Sequence, residues 1–398
     1  MANAPGGHPA AVASWDADAA AFFARCGLPP PARLRCDDYA RRRFPGLNVR
    51  PVPVQGFCSY TLLAGPDAVL QFRPARHRLD ADVLGRARAV YGDWVPATEP
   101  LGPLGSGEPG PDPGSDLHVY EMARLPGVPL SELGPADEAL ARDLATFFAR
   151  GFHRAVTASD PALAAHKGRI GRSLGARLLV LHAGLPSRFR AEASAALRAL
   201  PAVEALPWAL THGDLVPGNV MVRTAGSPRL AGLLDWAEAE FLPFGVGLYG
   251  VDELLADAGA RAAFWAELAA RIPELAADAR LRATVEAARR LGVLLWHGFA
   301  FDDGSLDRVV EVGRDDGEIR RLDRLLLGRD TSPSPSPSLS PSRSPSPPGS
   351  PQRTSGLAAV LRQAWLYAAS VLWECLRGCS RFVSAAFGSG YRRALTRS

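Results

Sequence analysis

The sequence predicts an α+β fold in which a small β-rich lobe precedes a larger helical one. Three observations carry this expectation. Short strand-like runs lie between Val52 and Phe72 and again at Leu117–Ala123; beyond Pro135 the apolar spacing turns helical; and only two short segments interrupt that helical part. With 398 residues and 47% hydrophobic content, the chain can bury a sizeable core in two or three structural units.

Residues 1–14 read as a loose tail, and 15–122 as the N-terminal lobe. Helical patterns cover Asp16–Arg25, behind an acidic start, and Asp37–Phe44. SYTLLAG and AVLQFRP are separated by Gly65-Pro66-Asp67, a hairpin signal. A helix is expected from Leu79 to Tyr91, then a Gly/Pro loop over 101–116, then the strand LHVYEMA. The C-terminal lobe spans 123–330, with helical runs such as DEALARDLATFFARGFHRA and RAAFWAELAARI. Residues 331–355 form a Ser/Pro linker with almost nothing to bury, expected to be disordered.

The final stretch, 356–398, contains an amphipathic helical pattern over 357–387. On a helical wheel Arg362, Arg377 and Arg381 share one strip opposite Val360, Leu361, Val371 and Leu372, with Trp365 and Trp373 at the flanks. That layout suits a helix lying in a membrane interface, so a peripheral membrane contact is expected through 357–387.

Net charge is only +4, which argues against nucleic acid as a partner. The five cysteines show neither CxxC pairing nor zinc spacing, and the N-terminal stretch lacks a secretory pattern. Reduced thiols and a cytoplasmic location are the expectation. No apolar run is long enough for a simple span. Lys167 is the only lysine; every other basic residue besides histidine is arginine.

The chemistry concentrates in THGDLVPGNV, residues 211–220, and in GLLDW, which ends an apolar run at Asp235. Asp214 and Asn219 lie five residues apart across a Pro-Gly turn. Such a loop can aim a carboxylate at a hydroxyl while an amide oxygen holds a metal. Asp235 would offer a second oxygen ligand at a strand end. Phosphoryl transfer needs this combination, and Mg²⁺ favours oxygen donors.

HGDLVPGN followed by LLDW resembles the aminoglycoside phosphotransferase and choline kinase group, small-molecule kinases with a two-lobed protein-kinase-like fold. The resemblance covers roughly residues 36–327. It implies ATP and Mg²⁺ as cofactors and a small-molecule hydroxyl as acceptor. Asp214 matches the catalytic carboxylate, His212 the residue bracing its loop, and Asn219 and Asp235 the Mg²⁺ ligands. QGFCSYTLL sits where the nucleotide loop belongs; Gly56 allows a tight approach there, and the Cys58 and Ser59 amides can cradle phosphate. YEMARLPGVPL takes the place of the hinge, and GFAFDDGSLDRVV that of the late helical pieces.

The sequence also departs from the family. The strand lysine that holds the α- and β-phosphates is missing. By register Gln71 takes its position, and Arg73, on the same face, offers a guanidinium to phosphate. Asp80 or Asp82 is the acidic partner expected on the following helix, the choice between them open. Glu238 is a candidate near the metal, and Asp302 and Asp303 for a cationic acceptor. GVGLYG formally matches a dinucleotide motif, but it opens no βαβ unit. A non-catalytic kinase-like binding module, turnover lost with the lysine, is the alternative. The acceptor and the oligomeric state stay open at this level.

Overall fold

The computed structural model describes residues 18–104, 117–161, 163–302 and 305–329. The N-terminal tail, Asp303, the Ser/Pro linker and the segment 357–387 lie outside them.

A five-stranded antiparallel sheet comes first, built from β1 (Val49–Pro51), β2 (Tyr60–Ala64), β3 (Ala68–Pro74), β4 (Thr98–Pro103) and β5 (Leu117–Ala123) in the order β1-β2-β3-β5-β4. The expected hairpin is present, with Ala64 opposite Ala68 and Thr61 opposite Gln71. Alternation along β3 sends Leu70 and Phe72 into the core under the helices that precede the sheet. Phe22 and Phe23, from a helix over 18–25, meet Tyr60, whose ring is 6.2 Å from Phe72. Each such buried aromatic contributes about 1.5–3 kcal/mol relative to exposure.

The second helix runs Pro31–Arg43, not Asp37–Phe44. Its start was misplaced because prolines ordinarily signal a break, yet proline is well suited to a helix's first position. The helix after the hairpin, Ala81–Tyr91, begins where Asp80 accepts hydrogen bonds from the Asp82 and Val83 amides.

The following part packs the helix Glu138–His153 against Ala258–Arg271, with Ala279–His297 running through its centre. Strands interrupt this part more often than expected. They are β6 (Val128–Pro129), β7 (Trp208–Thr211), β8 (Val220–Arg223), β9 (Arg229–Leu233), β10 (Glu240–Pro243), β11 (Phe299–Asp302) and β12 (Ser305–Val309). The stretch GFAFDDGSLDRVV is therefore a β-hairpin, not a helical piece. Strands of two to five residues are too short to display a period of two, which is why the sequence concealed them. No helix among the described residues is long and apolar enough to cross a membrane.

Candidate active site

Two strand pairings bring the distant motifs together. β7 pairs with β10, Thr211 opposite Glu240, and β8 pairs with β9, Val220 opposite Leu233. The loop 212–219 leaves β7 and enters β8, while Asp235 follows β9. Just beyond the second ladder, the Leu234 amide donates to the Asn219 carbonyl at 2.8 Å. Asn219 and Asp235, sixteen residues apart in sequence, thus flank one rung.

The loop is held from several sides. The Asp214 amide donates to His212 Nδ1 at 3.2 Å, so that nitrogen is the acceptor. Nε2 then carries the proton and donates to the Leu234 carbonyl at 2.7 Å, tying the loop to the Asp235 strand. Burial lowers the His212 pKa, which suits this neutral form. Tyr249 Oη accepts from the Leu215 amide at 2.8 Å, and Trp296, stacked on Tyr249 at 4.4 Å, donates its indole N–H to the Gly213 carbonyl. Gly213 has φ +84°, and a Cβ there would stand 2.1 Å from the Glu238 carbonyl, so no other residue fits.

Asp214 is mostly withdrawn from water, and that burial raises its pKa; nearby His212 opposes the shift and Asp235 adds to it. Asn219 Nδ2 donates to the Asp214 carbonyl and to its Oδ2, each at 2.9 Å. The Asn219 amide is thereby oriented, its nitrogen toward Asp214, and its oxygen remains as a possible ligand.

Asp235 has φ 56° and ψ 71°, the one positive φ among the described non-glycine residues. Such a conformation costs on the order of 1–3 kcal/mol and needs surrounding support. Trp236 supplies some of it: buried against Tyr91 and His212, it donates to the Leu233 carbonyl at 2.9 Å. Arg73 supplies the rest.

The Arg73 side chain is only 2% exposed, and its Nη2 donates to Asp235 Oδ1 at 3.0 Å. Its Nε donates to Gln71 Oε1 at 3.0 Å. The acidic partner of this strand cation is therefore Asp235, not Asp80 or Asp82; Asp80 caps its helix instead. Gln71, Arg73, Leu84, Met122, Asp235 and Trp236 line part of one small cleft.

The other expected residues fall out differently. The Ser59 hydroxyl is buried and faces Thr61 Oγ1 at 3.1 Å, so only its backbone is left for a ligand. Gly56 closes the turn with space for a Cβ only 3.3 Å from Ser59 Oγ. Glu238 is close enough to Asp235 and Asp214 to feel both charges, though loss of hydration is the larger cause of its raised pKa. Asp302 is matched by Arg308 at 2.6 Å, so it is not a bare anion for a cationic acceptor.

Sequence reading missed three supports: Glu240, Tyr249 and Trp296. Glu240 is buried and accepts from the Ile170 and Gly171 amides at 3.0 and 2.7 Å, anchoring β10. Nothing local marks any of the three.

The Mg²⁺ expectation can be tested on the donor set. Among the described residues no group of three His, Cys, Asp or Glu side chains could hold a metal by itself. Asn219 Oδ1 and Asp235 Oδ2 offer two hard oxygens. That is the partial set expected of an ion bound jointly with phosphate oxygens. The residues fit.

Residues 62–246 match the model of the phosphotransferase enzyme family. Viomycin phosphotransferase of Streptomyces vinaceus is 31% identical over 291 residues, 69% of this chain and 95% of that protein. Among solved structures, the GDP complex of wild-type aminoglycoside 2'-phosphotransferase-IIIa is 16% identical with a TM-score of 0.45, over 66% of this chain and 90% of the other.

Proposed function

The chain belongs to the phosphotransferase enzyme family and moves a phosphoryl group to a hydroxyl of a small molecule, and from that premise we propose how its own residues do so. ATP is the donor. Asp214 accepts or orients the acceptor's hydroxyl proton, and His212 keeps the loop in place through Leu234. Asn219 and Asp235 hold Mg²⁺, which when bound offsets the charge of the phosphates. Gly56 and the Ser59 backbone lie along the phosphates, and Arg73 replaces the absent lysine as the buried strand cation.

The observation that carries this reading is the meeting of Asp214, Asn219 and Asp235 at one strand end, with Arg73 bonded to Asp235. A binding module has no need of that combination, and the missing lysine loses its force once a guanidinium occupies the same face. The decisive experiment offers the purified protein ATP with sugars, amino alcohols, aminoglycosides and viomycin, and follows both ATP loss and phosphorylated product by mass. No product with any acceptor, despite tight ATP binding, would favour the binding module.

Arg73→Ala should raise KM for ATP more than Gln71→Ala does. A guanidinium makes charge-assisted bonds to phosphate, while an amide makes weaker neutral ones. If steady-state kinetics give the opposite ranking, Gln71 is the phosphate contact.

Deletion of 331–398 should leave activity in solution unchanged and abolish sedimentation with anionic vesicles. The arginines and the apolar face of 357–387 motivate this membrane contact, which should weaken with salt. Full-length protein that stays in the supernatant at low salt would refute it.

A further inference from the structure

The nucleotide loop is touched by segments far from it in sequence on both sides, around Arg25 and Phe301. The Phe57 ring meets Phe301 of β11 edge to face, centroids 5.1 Å apart and planes at 82°. The Arg25 guanidinium lies 4.3 Å from the Phe57 ring centre and donates to the Phe57 carbonyl at 3.1 Å and the Gly56 carbonyl at 3.5 Å. His77 adds a second edge-on ring at 6.3 Å. Three elements therefore converge on one side chain: the helix over 18–25, the turn Ala75–His77 after β3 and the hairpin β11–β12.

This contact does little for the core. Phe301 is 54% exposed, and neither Phe57 nor Phe301 belongs to a buried cluster. An exposed phenylalanine at the tip of a hairpin has an ordinary reason to be polar, yet here it reaches across to the other lobe. The neighbouring residue shows what the loop covers: Cys58 is close enough to feel the charges of Arg73, Asp235 and Glu238, and burial is the main reason its thiol pKa is pushed up to about 11. Phe57 also meets His77, whose carbonyl accepts from Arg73 Nη1 at 3.4 Å, and Arg73 is bonded to Asp235, so the loop so pinned stands beside the Asp235 end of the cleft.

We propose that Phe57 and Phe301 form a clasp that holds the nucleotide loop down across the cleft and slows nucleotide release, with Arg25 as a positioning residue that keeps Phe57 turned toward Phe301. The proposal rests on the nucleotide reading given above. The clasp closes the loop without touching the phosphates, so its effect falls on dissociation more than on association. It also explains why the loop functions with a single glycine: its position comes from side chains outside it.

The test is stopped-flow release of N-methylanthraniloyl-ADP with Mg²⁺ from the full-length protein, chased by unlabelled ADP. Edge-to-face aromatic pairs have coupling energies that correspond to about 2- to 12-fold in a rate. Phe57→Ala and Phe301→Ala should each speed release by that factor, and the double variant should be no faster than the faster single one. Phe301→Tyr, which keeps the ring, should release at the wild-type rate. Arg25→Ala should speed release in the same direction, with partial recovery in Arg25→Lys. Because Phe301 is largely exposed, its variant should melt with the wild type, so it carries the test even if Phe57→Ala folds poorly. Unchanged release in Phe301→Ala, or effects that multiply in the double variant, would overturn the clasp. A wild type that binds no labelled ADP would overturn the nucleotide reading as well, and that outcome is distinct from normal binding with unchanged release.

Discussion

Asp214→Asn is expected to cut phosphoryl transfer by about 10²–10⁴-fold, the usual cost of removing a general base, while leaving the fold and ATP binding nearly intact. The geometry makes the replacement clean. Asn219 Nδ2 donates to Asp214 Oδ2, so the new amide will turn its oxygen toward Asn219 to keep that bond. Its NH₂ group is then left where the acceptor hydroxyl would need a proton acceptor, and the hydroxyl faces a donor instead. Stability should not fall, because the carboxylate being removed is one whose pKa burial already raises. A thermal melt beside a turnover assay checks both halves. Turnover equal to wild type would remove Asp214 from the chemistry.

The second large effect concerns Asp235. Alanine there deletes an anionic oxygen ligand and strips Arg73 of its only carboxylate partner among the described contacts. Mg²⁺-ATP binding should collapse, and the fold should weaken as well. Breaking a fully buried ion pair costs roughly 3–5 kcal/mol, but the Asp235 side chain is 42% exposed and water can reach the gap. About 1–3 kcal/mol is the reasonable expectation. Asp235→Asn separates the two losses. Asparagine tolerates a left-handed backbone and still presents an oxygen to Arg73, so it should recover most of the stability and little of the metal binding. Chemical denaturation and Mg²⁺-dependent ATP titration of both variants decide this. Equal ATP binding in wild type and Asp235→Ala would make Asp235 purely structural.

Much of the site was legible in the sequence because it is local. HGDLVPGN is one loop between β7 and β8, and AVLQFRP is one strand whose period of two put Gln71 and Arg73 on the same face, where Arg73 Nε donates to Gln71 Oε1. What escaped detection was non-local. Arg73 meets Asp235 across 162 residues, and no spacing rule links a strand end in one lobe to a turn in the other. Asp80 was misread as a partner because an aspartate before a helix looks the same in sequence whether it caps or pairs. The hairpin at 299–309 was missed since its strands have only four and five residues, and Phe301 gained its meaning only from Phe57. Glu240 drew no attention for a similar reason: the two amides it binds lie some seventy residues upstream.

The absence of a lysine from β3, with Gln71 and Arg73 in its place, also changes which reagents the protein will notice. Acyl-phosphate nucleotides and aldehydes label such pockets when a side-chain amine beside the phosphates attacks their carbonyl carbon, expelling phosphate to give an amide or water to give an imine. This pocket offers a guanidinium, whose nitrogen lone pairs are delocalised over the group and make it a poor nucleophile. The chain's one lysine, Lys167, has its ammonium 3.9 Å from the ring centre of Trp208 rather than on β3. Amine-directed tagging that reports nucleotide occupancy in lysine-bearing relatives would therefore be silent in this cleft, however firmly the nucleotide is held.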